Sequence, residues 1–347
     1  MATEVTCIVD TDGTQSPDYT SLAAAIAGET GVSPVAVTDY DLVTNDEQLT
    51  IECRATSGAA DTTELTIPTF VTDADCYVKI YVPPAHRHNG KWSDSKSRLI
   101  NTATRPHLLT VQISDLVLEG VLLGYSHDAQ DSSYSLINVE VACNLMVKKC
   151  ILKGNVGSNR IATGIFITGT SDGSVVTIEN SIICGTNRAE HYANANLREY
   201  YSGGTTINIY NCVSCDSNLG IDRRNATVTV RNCAVFNNVN DFNNDMTVTY
   251  TASDDNDVLG TGNVDISPSA TEADDWAAAF TDYTNGDFSL KSGSDLIDAG
   301  IGPGQDSNVP TTDIVGNTRS GNTCCIGAFE YVSIPVAMHH YNLLRSA

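Results

Sequence analysis

The sequence contains no uninterrupted apolar run near 18 residues, which excludes a conventional membrane-spanning helix. It is also poor in basic residues, with 19 Lys and Arg against 42 Asp and Glu and a net charge of −23. Such a surface repels phosphate backbones and anionic lipids, so we expect neither a nucleic-acid nor a membrane partner. The opening residues MATEVTCIVDTDGT contain neither a basic nor an apolar stretch, so the sequence predicts no classical secretory signal and synthesis in a cytoplasm.

The acidic excess is concentrated near the C-terminus. Between Asp241 and Glu330 there are 16 acidic residues but only Lys291 and Arg319 as basic ones. A strongly solvated surface explains this composition. Calcium binding in the Asp-rich loops is the alternative, because carboxylates are the ligands that calcium prefers. The sequence predicts no other cofactor.

Five short segments align without a gap, and they start 29, 31, 31 and 21 residues apart. A short unit that recurs at such a period indicates a solenoid. Apolar and polar residues alternate within each unit, which predicts strands, so each unit is interpreted as one coil of a parallel β-helix. The segments are LVLEGVLLG from Leu116, LMVKKCILK from Leu145, VTIENSIIC from Val176, INIYNCVSC from Ile207 and VTVRNCAVF from Val228.

Positions within the unit predict which side chains face inward. The first and third positions are aliphatic in all five units, so that strand face is expected to be buried. The fourth position is expected to point outward, with Glu119, Lys148 and Glu179 forming a column of alternating charge. The fifth position predicts a left-handed bend and a ladder of stacked Asn side chains, since Gly and Asn best tolerate that backbone. Its residues are Gly120, Lys149, Asn180, Asn211 and Asn232.

The 11 cysteines are placed by the repeat. Cys150, Cys212 and Cys233 share the sixth position, and Cys184 and Cys215 share another. Thiols at equivalent positions are expected to stack, unpaired and buried, in the interior of the coils. The odd number of cysteines leaves at least one without a disulfide partner in any case.

The organisation predicted along the chain has five parts. Residues 1–30 form an N-terminal cap, in which Ser21 caps a helix that stops at Gly28. Residues 31–110 form irregular coils, 111–240 the regular coils, and 241–331 a less regular closing region. Residues 332–347 form a tail, which is either frayed or docked on a partner.

Two segments carry candidate binding residues. The longest insertion, from Gly185 to Gly204, is rich in Tyr, Arg and His, and solenoid insertions tend to map to one binding face. A packed flap is the alternative. The surface-loop candidates are Arg188, His191, Tyr192, Arg198, Tyr200 and Tyr201, and the candidates for partner docking in the tail are Met338, Tyr341, Leu343, Leu344 and Arg345.

Three sequence patterns carry a family resemblance. The coils of residues 111–240 resemble right-handed parallel β-helix proteins of the pectate-lyase-like superfamily. The motifs GDFSLKSGSDLIDAG, DIVGNTRSG and IGAFEY are similar to a closing module common on such proteins. The segments IVDTDGTQSPDYTSLAAAI and PPAHRHNGKWSDSKSRL resemble the starts of β-helix proteins of the phage and bacterial-surface type. The resemblance implies an all-β, right-handed solenoid with a strand-helix cap, a closing region and a short tail.

The resemblance brings no catalytic set, and we assign no catalytic or metal-binding residue. The regular coils lack the G-H-G and R-x-K motifs of polygalacturonase-like proteins. Asp222, Arg223 and Arg224 are interpreted as outward residues of a strand and turn, and His86 with His88 lacks a third metal ligand. The carboxylates that a hydrolase would have to draw on are Asp115, Glu140, Asp172, Glu190 and Asp216.

These observations favour a non-enzymatic structural protein of a virus particle, such as a phage capsid-decoration, head-fibre or tail-associated protein. The expected partners are capsid proteins and further copies of the chain, with a trimer favoured by analogy to β-helix spikes. The expected location is the virion, assembled in the host cytoplasm. The alternatives are a polysaccharide depolymerase and a bacterial surface adhesin that binds a glycan, and both imply an extracellular or cell-surface location.

Overall fold

Stacked coils of three strands dominate the fold. The computed structural model describes residues 2–14, 16–55, 57–68, 70–102, 107–125, 134–154, 162–168, 173–187, 194–200, 203–255, 260–266 and 271–333. Three sheets run along the stack, and every strand in them pairs with its neighbours in parallel. The chain is a right-handed parallel β-helix, as the repeats and the resemblance predict.

Each sheet takes one strand from successive coils. The first sheet contains Thr3–Asp10, Glu47–Arg54, Val78–Tyr81, Asp115–Glu119, Asn144–Lys148, Val175–Glu179, Thr206–Tyr210, Thr227–Arg231 and Thr247–Thr249. The second contains Arg98–Asn101, Leu122–Tyr125, Ile151–Lys153, Ile182–Asn187, Val213–Ser217, Ala234–Phe236, Ala252–Ser253 and Val264–Asp265. The third contains Leu65–Ile67, His107–Val111, Tyr134–Val139, Ala162–Ile167, Ala195–Glu199, Leu219–Asp222 and Asn240–Asn243.

The remaining elements are short and lie near the two ends of the chain. Two antiparallel strand pairs lie in the C-terminal part, Phe280–Asp282 with Asp287–Leu290 and Gly300–Ile301 with Thr323–Cys324. None of the helices in the described part of the chain is long and apolar enough to cross a membrane. The α-helices are Leu22–Glu29, Leu42–Asn45 and Glu272–Ala279, and Tyr283–Asn285 is a 3-10 helix.

The N-terminal helix confirms one predicted boundary and corrects the other. The Ser21 hydroxyl accepts a hydrogen bond from the amide of Ala24 at 3.1 Å, so Ser21 is the N-cap. The helix continues past Gly28 to Glu29. A Cβ atom at position 28 would lie 2.4 Å from the ring of Tyr19, so Gly28 leaves room for that ring and does not stop the helix.

The predicted register of the coils is confirmed. All ten side chains at the first and third positions lie in one buried apolar cluster, together with Cys150, Cys212 and Cys233. All five residues at the fifth position have a left-handed backbone, with φ between 49° and 76°. In the charge column, the Lys148 ammonium lies 3.4 Å from the Glu119 carboxylate. Burial acts to raise the pKa of Glu119, but Lys148 and other nearby cations hold it below its ordinary value.

The Asn side chains at the bend bind the closing region more than they bind one another. Within the described residues, one hydrogen bond joins successive rungs, from Asn232 Nδ2 to Asn211 Oδ1 at 3.3 Å. Asn180 Nδ2 donates to the Thr312 carbonyl at 2.8 Å, and Asn232 exchanges two bonds with the backbone of Ile301. We call residues 271–331 the closing segment. The Asn side chains that were predicted to form a ladder therefore mainly bind the closing segment to the coils.

The closing segment packs along the outer face of the second sheet and builds a second apolar core. Leu122, Ile151, Ile182 and Val213 form one column of that face, which a solvated sheet would fill with polar residues. Aromatic rings of the closing segment cover the next coils. The ring of Phe236 stacks on Phe280 at 5.0 Å, with Trp276 and Phe288 around it.

This second core corrects the placement of two cysteines. Cys184 and Cys215 do not lie in the interior of the coils; they lie on the outer face of the second sheet, under the closing segment. The reason is strand alternation, since position six faces inward and position nine then faces outward. All 11 cysteines are free and Cys184 alone is partly exposed, so the prediction of unpaired thiols is confirmed.

Candidate functional site

The outer face of the third sheet carries a row of large polar and aromatic side chains. Parallel pairing places Asn138, Phe166, Arg198, Asp222 and Asn243 on adjacent strands in register. Successive coils are about 4.8 Å apart, so these side chains are direct neighbours. Their sequence neighbours on the same strands, such as Ile165 and Leu197, point into the core. The row therefore lies on the outer face of the coil and not in the core between the sheets.

An ion pair is buried at the centre of this row. Arg198 Nε lies 3.2 Å from Asp222 Oδ2, and the two side chains are only 8% and 1% exposed. Asn243 Nδ2 donates to Asp222 Oδ1 at 2.6 Å. Burial raises the pKa of Asp222, against the opposing effects of Asn243 and Arg198. A buried carboxyl with a raised pKa marks a candidate site for proton transfer, although structural ion pairs show the same signature.

Two arginines flank a tyrosine at the edge of the row. The guanidinium groups of Arg198 and Arg224 lie 5.2 and 5.7 Å from the ring centroid of Tyr200, within the range of cation–π attraction. The ring of Phe166 is 6.3 Å away. Tyr200 is 36% exposed. We call Phe166, Arg198, Tyr200, Asp222 and Arg224 the Tyr200 patch.

The buried Glu199 carboxylate positions Arg224. Its Oε2 accepts the backbone amides of Arg224, Asn225 and Ala226 at 2.8, 2.6 and 3.0 Å. Three amides directed at one carboxylate oxygen fix the turn that follows the strand Leu219–Asp222. The Arg224 side chain is thereby held beside Tyr200 while it remains exposed.

The structure brings together part of the predicted surface-loop set. Arg198 and Tyr200 form contacts in the Tyr200 patch. The remaining surface-loop candidates lie outside the described residues, as do all the tail candidates, so those stay predictions. These residues are Arg188, His191, Tyr192, Tyr201, Met338, Tyr341, Leu343, Leu344 and Arg345.

Part of the patch is not predicted from the sequence. The repeats indicate no role for Phe166, and Asp222, predicted to be an outward strand residue, does lie on the outer face but is buried. Phe166, Arg198 and Asp222 occupy equivalent positions on the third strands of successive coils. Insertions of unequal length between the strands obscure this equivalence in the sequence.

The other candidate carboxylates in the described residues are bound to side-chain amides. Asp115 accepts from Asn144 at 2.7 Å, and Asp216 accepts from Asn237. Glu140 accepts from Gln112 at 2.9 Å and from Asn138 at 2.8 Å. Asp172 and Glu190 lie outside the described residues.

The histidines and thiols are the remaining potential metal ligands in the described residues. His86 and His88 do not face a common point, because each ring contacts a different backbone carbonyl, that of Ala55 and that of Lys149. Within the described residues, two other groups bring three potential ligand atoms within 4.8 Å of one another. They are Cys184 with Cys215 and Asp216, and Asp298 with Cys325 and Glu330.

Comparison with known proteins identifies neither a family nor an activity. No protein-family model matches the chain, and the curated proteins contain no match to it. Among solved structures, pectate lyase Pel9A is similar over 96% of this chain and 97% of its own, with 15% sequence identity and a TM-score of 0.44.

Proposed function

We propose that this chain is a non-enzymatic structural protein of a virus particle, such as a phage capsid-decoration, head-fibre or tail-associated β-helix. The observation that carries the proposal is that the carboxylates of the third sheet are bonded into the fold. Glu199 holds a turn, Asp222 pairs with Arg198, and Glu140 binds two amides. A glycoside hydrolase needs two carboxyl groups that reach the substrate. Groups engaged in this way support a shaft rather than a catalytic groove.

Two further features fit assembly inside a host cell. Ten of the 11 cysteines are buried and all are free, as suits a protein that folds in a reducing cytoplasm. The net charge of −23 favours solubility at a crowded particle surface. In this proposal the partners are capsid proteins and further copies of the chain as a trimer, and calcium in the Asp-rich loops is an optional stabiliser.

Turnover and particle assays test the proposal together. The purified protein is expected to release neither reducing ends nor unsaturated uronic acids from a panel of acidic polysaccharides. Purified virus particles are expected to contain it in fixed ratio to the coat protein, and light scattering of the free protein should give the mass of a trimer. The control is Asp75→Asn, because Asp75 is an exposed carboxylate distant from Asp222 in the sequence. Polysaccharide cleavage that is lost in Asp222→Asn but kept in Asp75→Asn would instead establish a depolymerase.

A second candidate function, recognition of an acidic glycan, is favoured by the Tyr200 patch. The partly exposed ring of Tyr200 lies beside the exposed guanidinium of Arg224, so the patch combines an aromatic surface for a sugar with donors for its carboxylate. A particle protein that contacts a cell surface and an adhesin would both use such a patch.

Replacing Tyr200 tests this second function. We expect Tyr200→Ala to weaken binding of an acidic oligosaccharide by about 10-fold, roughly the contribution of one aromatic contact. Isothermal titration would measure the affinity, with Tyr40→Ala as the matched control, since Tyr40 is an exposed tyrosine near the N-terminal helices. Equal affinities of the two variants for the oligosaccharide would show that the Tyr200 patch does not bind it.

A further inference from the structure

A cavity of about 280 Å³ separates the outer face of the second sheet from the closing segment. Neither of the functions proposed above uses it. Its lining combines aromatic side chains with groups that bind metals. The residues that matter here are Trp92, Lys153, Cys184, Asp216, Tyr283 and Phe288.

Cys184 lines this cavity, and the strand register places a second thiol, that of Cys215, directly beside it. Cys184 and Cys215 are direct partners on the adjacent strands Ile182–Asn187 and Val213–Ser217. Both project from the outer face of the sheet, and Cys215 is fully covered while Cys184 is partly exposed. The stacking of the coils thus creates a pair of sulfur ligands. The two residues are 31 positions apart, so they do not form a short cysteine motif of the kind that predicts a metal site from sequence.

A local backbone irregularity adds a carboxylate to the pair. In a regular strand Asp216 would point away from the face that carries Cys215, because successive side chains alternate. Asp216 instead has a left-handed backbone, with φ of 58°, and the pairing register shifts after Cys184. Its carboxylate therefore reaches the same side, and the two sulfur atoms and one oxygen lie within 4.8 Å of one another.

We propose that Cys184, Cys215 and Asp216 form a zinc site that opens into this cavity. Two thiolates and one carboxylate suit a borderline-soft dication, whereas calcium and magnesium prefer oxygen alone. Asn237 Nδ2 donates to Asp216 Oδ1, and such an outer hydrogen bond orients a ligating carboxylate. Cys184 and Asp216 line the cavity, so water or a small ligand could reach the ion and complete its four-fold coordination from there.

The charges at the cavity agree with this assignment. With both thiols ionised, the three ligands carry three negative charges, which a zinc ion and the neighbouring Lys153 would together balance. Lys153 is the register partner of Cys184 on the preceding coil and lines the same cavity. Its ammonium also lies 5.7 Å from the ring centroid of Trp92.

The second group of potential ligands is less suited to a metal. Glu330 Oε2 is already paired with Arg319 at 3.1 Å and accepts the amide of Cys325 at 3.0 Å. The sulfur of Cys325 accepts the amide of Tyr331. These groups are satisfied by the closing segment itself, which makes this cluster a useful control.

Cobalt titration of the reduced, metal-free full-length protein tests the site. We expect one equivalent of Co²⁺ to bind with the near-ultraviolet charge-transfer absorption of thiolate ligation, and Zn²⁺ to displace it. Cys184→Ser and Cys215→Ser are each expected to weaken metal binding on the order of 100-fold, and Asp216→Asn by roughly 10-fold. Cys76→Ser and Asp298→Asn, which alter a distant thiol and the other cluster, are expected to bind as the parent protein does.

A second readout protects the test against a variant that fails to fold. In the parent protein, zinc is expected to slow alkylation of Cys184, measured by mass spectrometry. The proposal is overturned if the reduced protein takes up no metal, if bound Co²⁺ lacks thiolate absorption, or if Asp298→Asn removes the binding. It is equally overturned if zinc leaves the alkylation rate of Cys184 unchanged.

Discussion

Arg319→Met is expected to destabilise the packing of the closing segment on the coils by about 3–5 kcal/mol. The guanidinium is fully buried and joins the closing segment to the coils. It donates to the Asn180 side chain at 2.8 Å, to Glu330 at 3.1 Å and to the carbonyl of Gly327 at 3.2 Å. Methionine fills a similar volume but leaves the Glu330 carboxylate buried without its cation, and this unpaired charge is the origin of the cost.

The two tryptophans make the effect measurable. Trp276 lies in the closing segment and Trp92 packs against the same core, so fluorescence during urea unfolding reports on this interface. Circular dichroism reports mainly on the coils. We expect Arg319→Met to shift the fluorescence transition by the full amount and the circular dichroism transition by less, because solenoid coils are stabilised chiefly by their neighbours.

Arg54→Met is the matched control for this prediction. Arg54 forms a 2.6 Å ion pair with Glu52 on the same strand, and both side chains are partly exposed. Pairs of this kind contribute about 0–1 kcal/mol, so the control is expected to be nearly neutral. If the two variants lost similar stability, Arg319 would not be the residue that fastens the closing segment to the coils.

Local rules were sufficient to predict the coils. The aliphatic first and third positions and the left-handed fifth position depend on contacts between adjacent coils, which repeat in the sequence. The partners of the Asn side chains could not be predicted in this way. Asn180 binds Thr312, which is 132 residues away, and no repeat encodes that contact.

The prediction that Cys184 and Cys215 lie in the interior of the coils is wrong for a specific reason. Strict alternation from the inward Ser181 places Cys184 outward, but an apolar residue type suggested the interior. The outer face of the second sheet is apolar only because the closing segment covers it. Packing of the closing segment on this face is a tertiary contact, and the alternation of residues along the strand does not predict it.

The candidate site was predicted in part for a related reason. Tyr and Arg in the long insertion pointed to Arg198 and Tyr200 as binding residues. The burial of Asp222 followed from its pairing with Arg198 across two coils, which depends on the register of the third sheet. The gapless repeats cover only the first two strands of each coil, so they do not predict the register of the third sheet.

His88 is expected to make the protein less stable as the pH falls from above 6.5 to about 4. Its ring is buried, Nδ1 accepts the amide of Gly90 at 3.1 Å, and Nε2 donates to the Lys149 carbonyl at 2.8 Å. Protonation would turn the acceptor Nδ1 into a donor that faces another donor. Burial, helped by the charges of Arg87 and Lys96 and opposed by the Lys149 carbonyl, lowers the pKa of His88 to about 4.

The sign and size of the effect follow from linkage. The unfolded state, with a histidine pKa of about 6.5, binds a proton at a higher pH than the folded state does, so acid favours unfolding. A difference of about 2.5 pH units corresponds to a loss of about 3 kcal/mol between pH 7 and pH 4. The stability is fully present above pH 6.5, decreases as the pH falls towards 4, and changes no further on account of this residue below that.

Comparison with His88→Gln isolates this contribution from other titrating groups. Burial raises the pKa of Asp222 and of Glu179 in the folded state, so these carboxyls favour folding as the pH falls and would mask His88 in the parent protein alone. Glutamine offers both a donor and an acceptor but does not titrate. The difference in unfolding free energy between the two proteins should therefore change by about 3 kcal/mol from pH 7 to pH 4, in favour of the variant at low pH. Two results would contradict this prediction. One is a difference in unfolding free energy between the two proteins that stays constant with pH, and the other is an NMR spectrum with a doubly protonated His88 ring at pH 5.5.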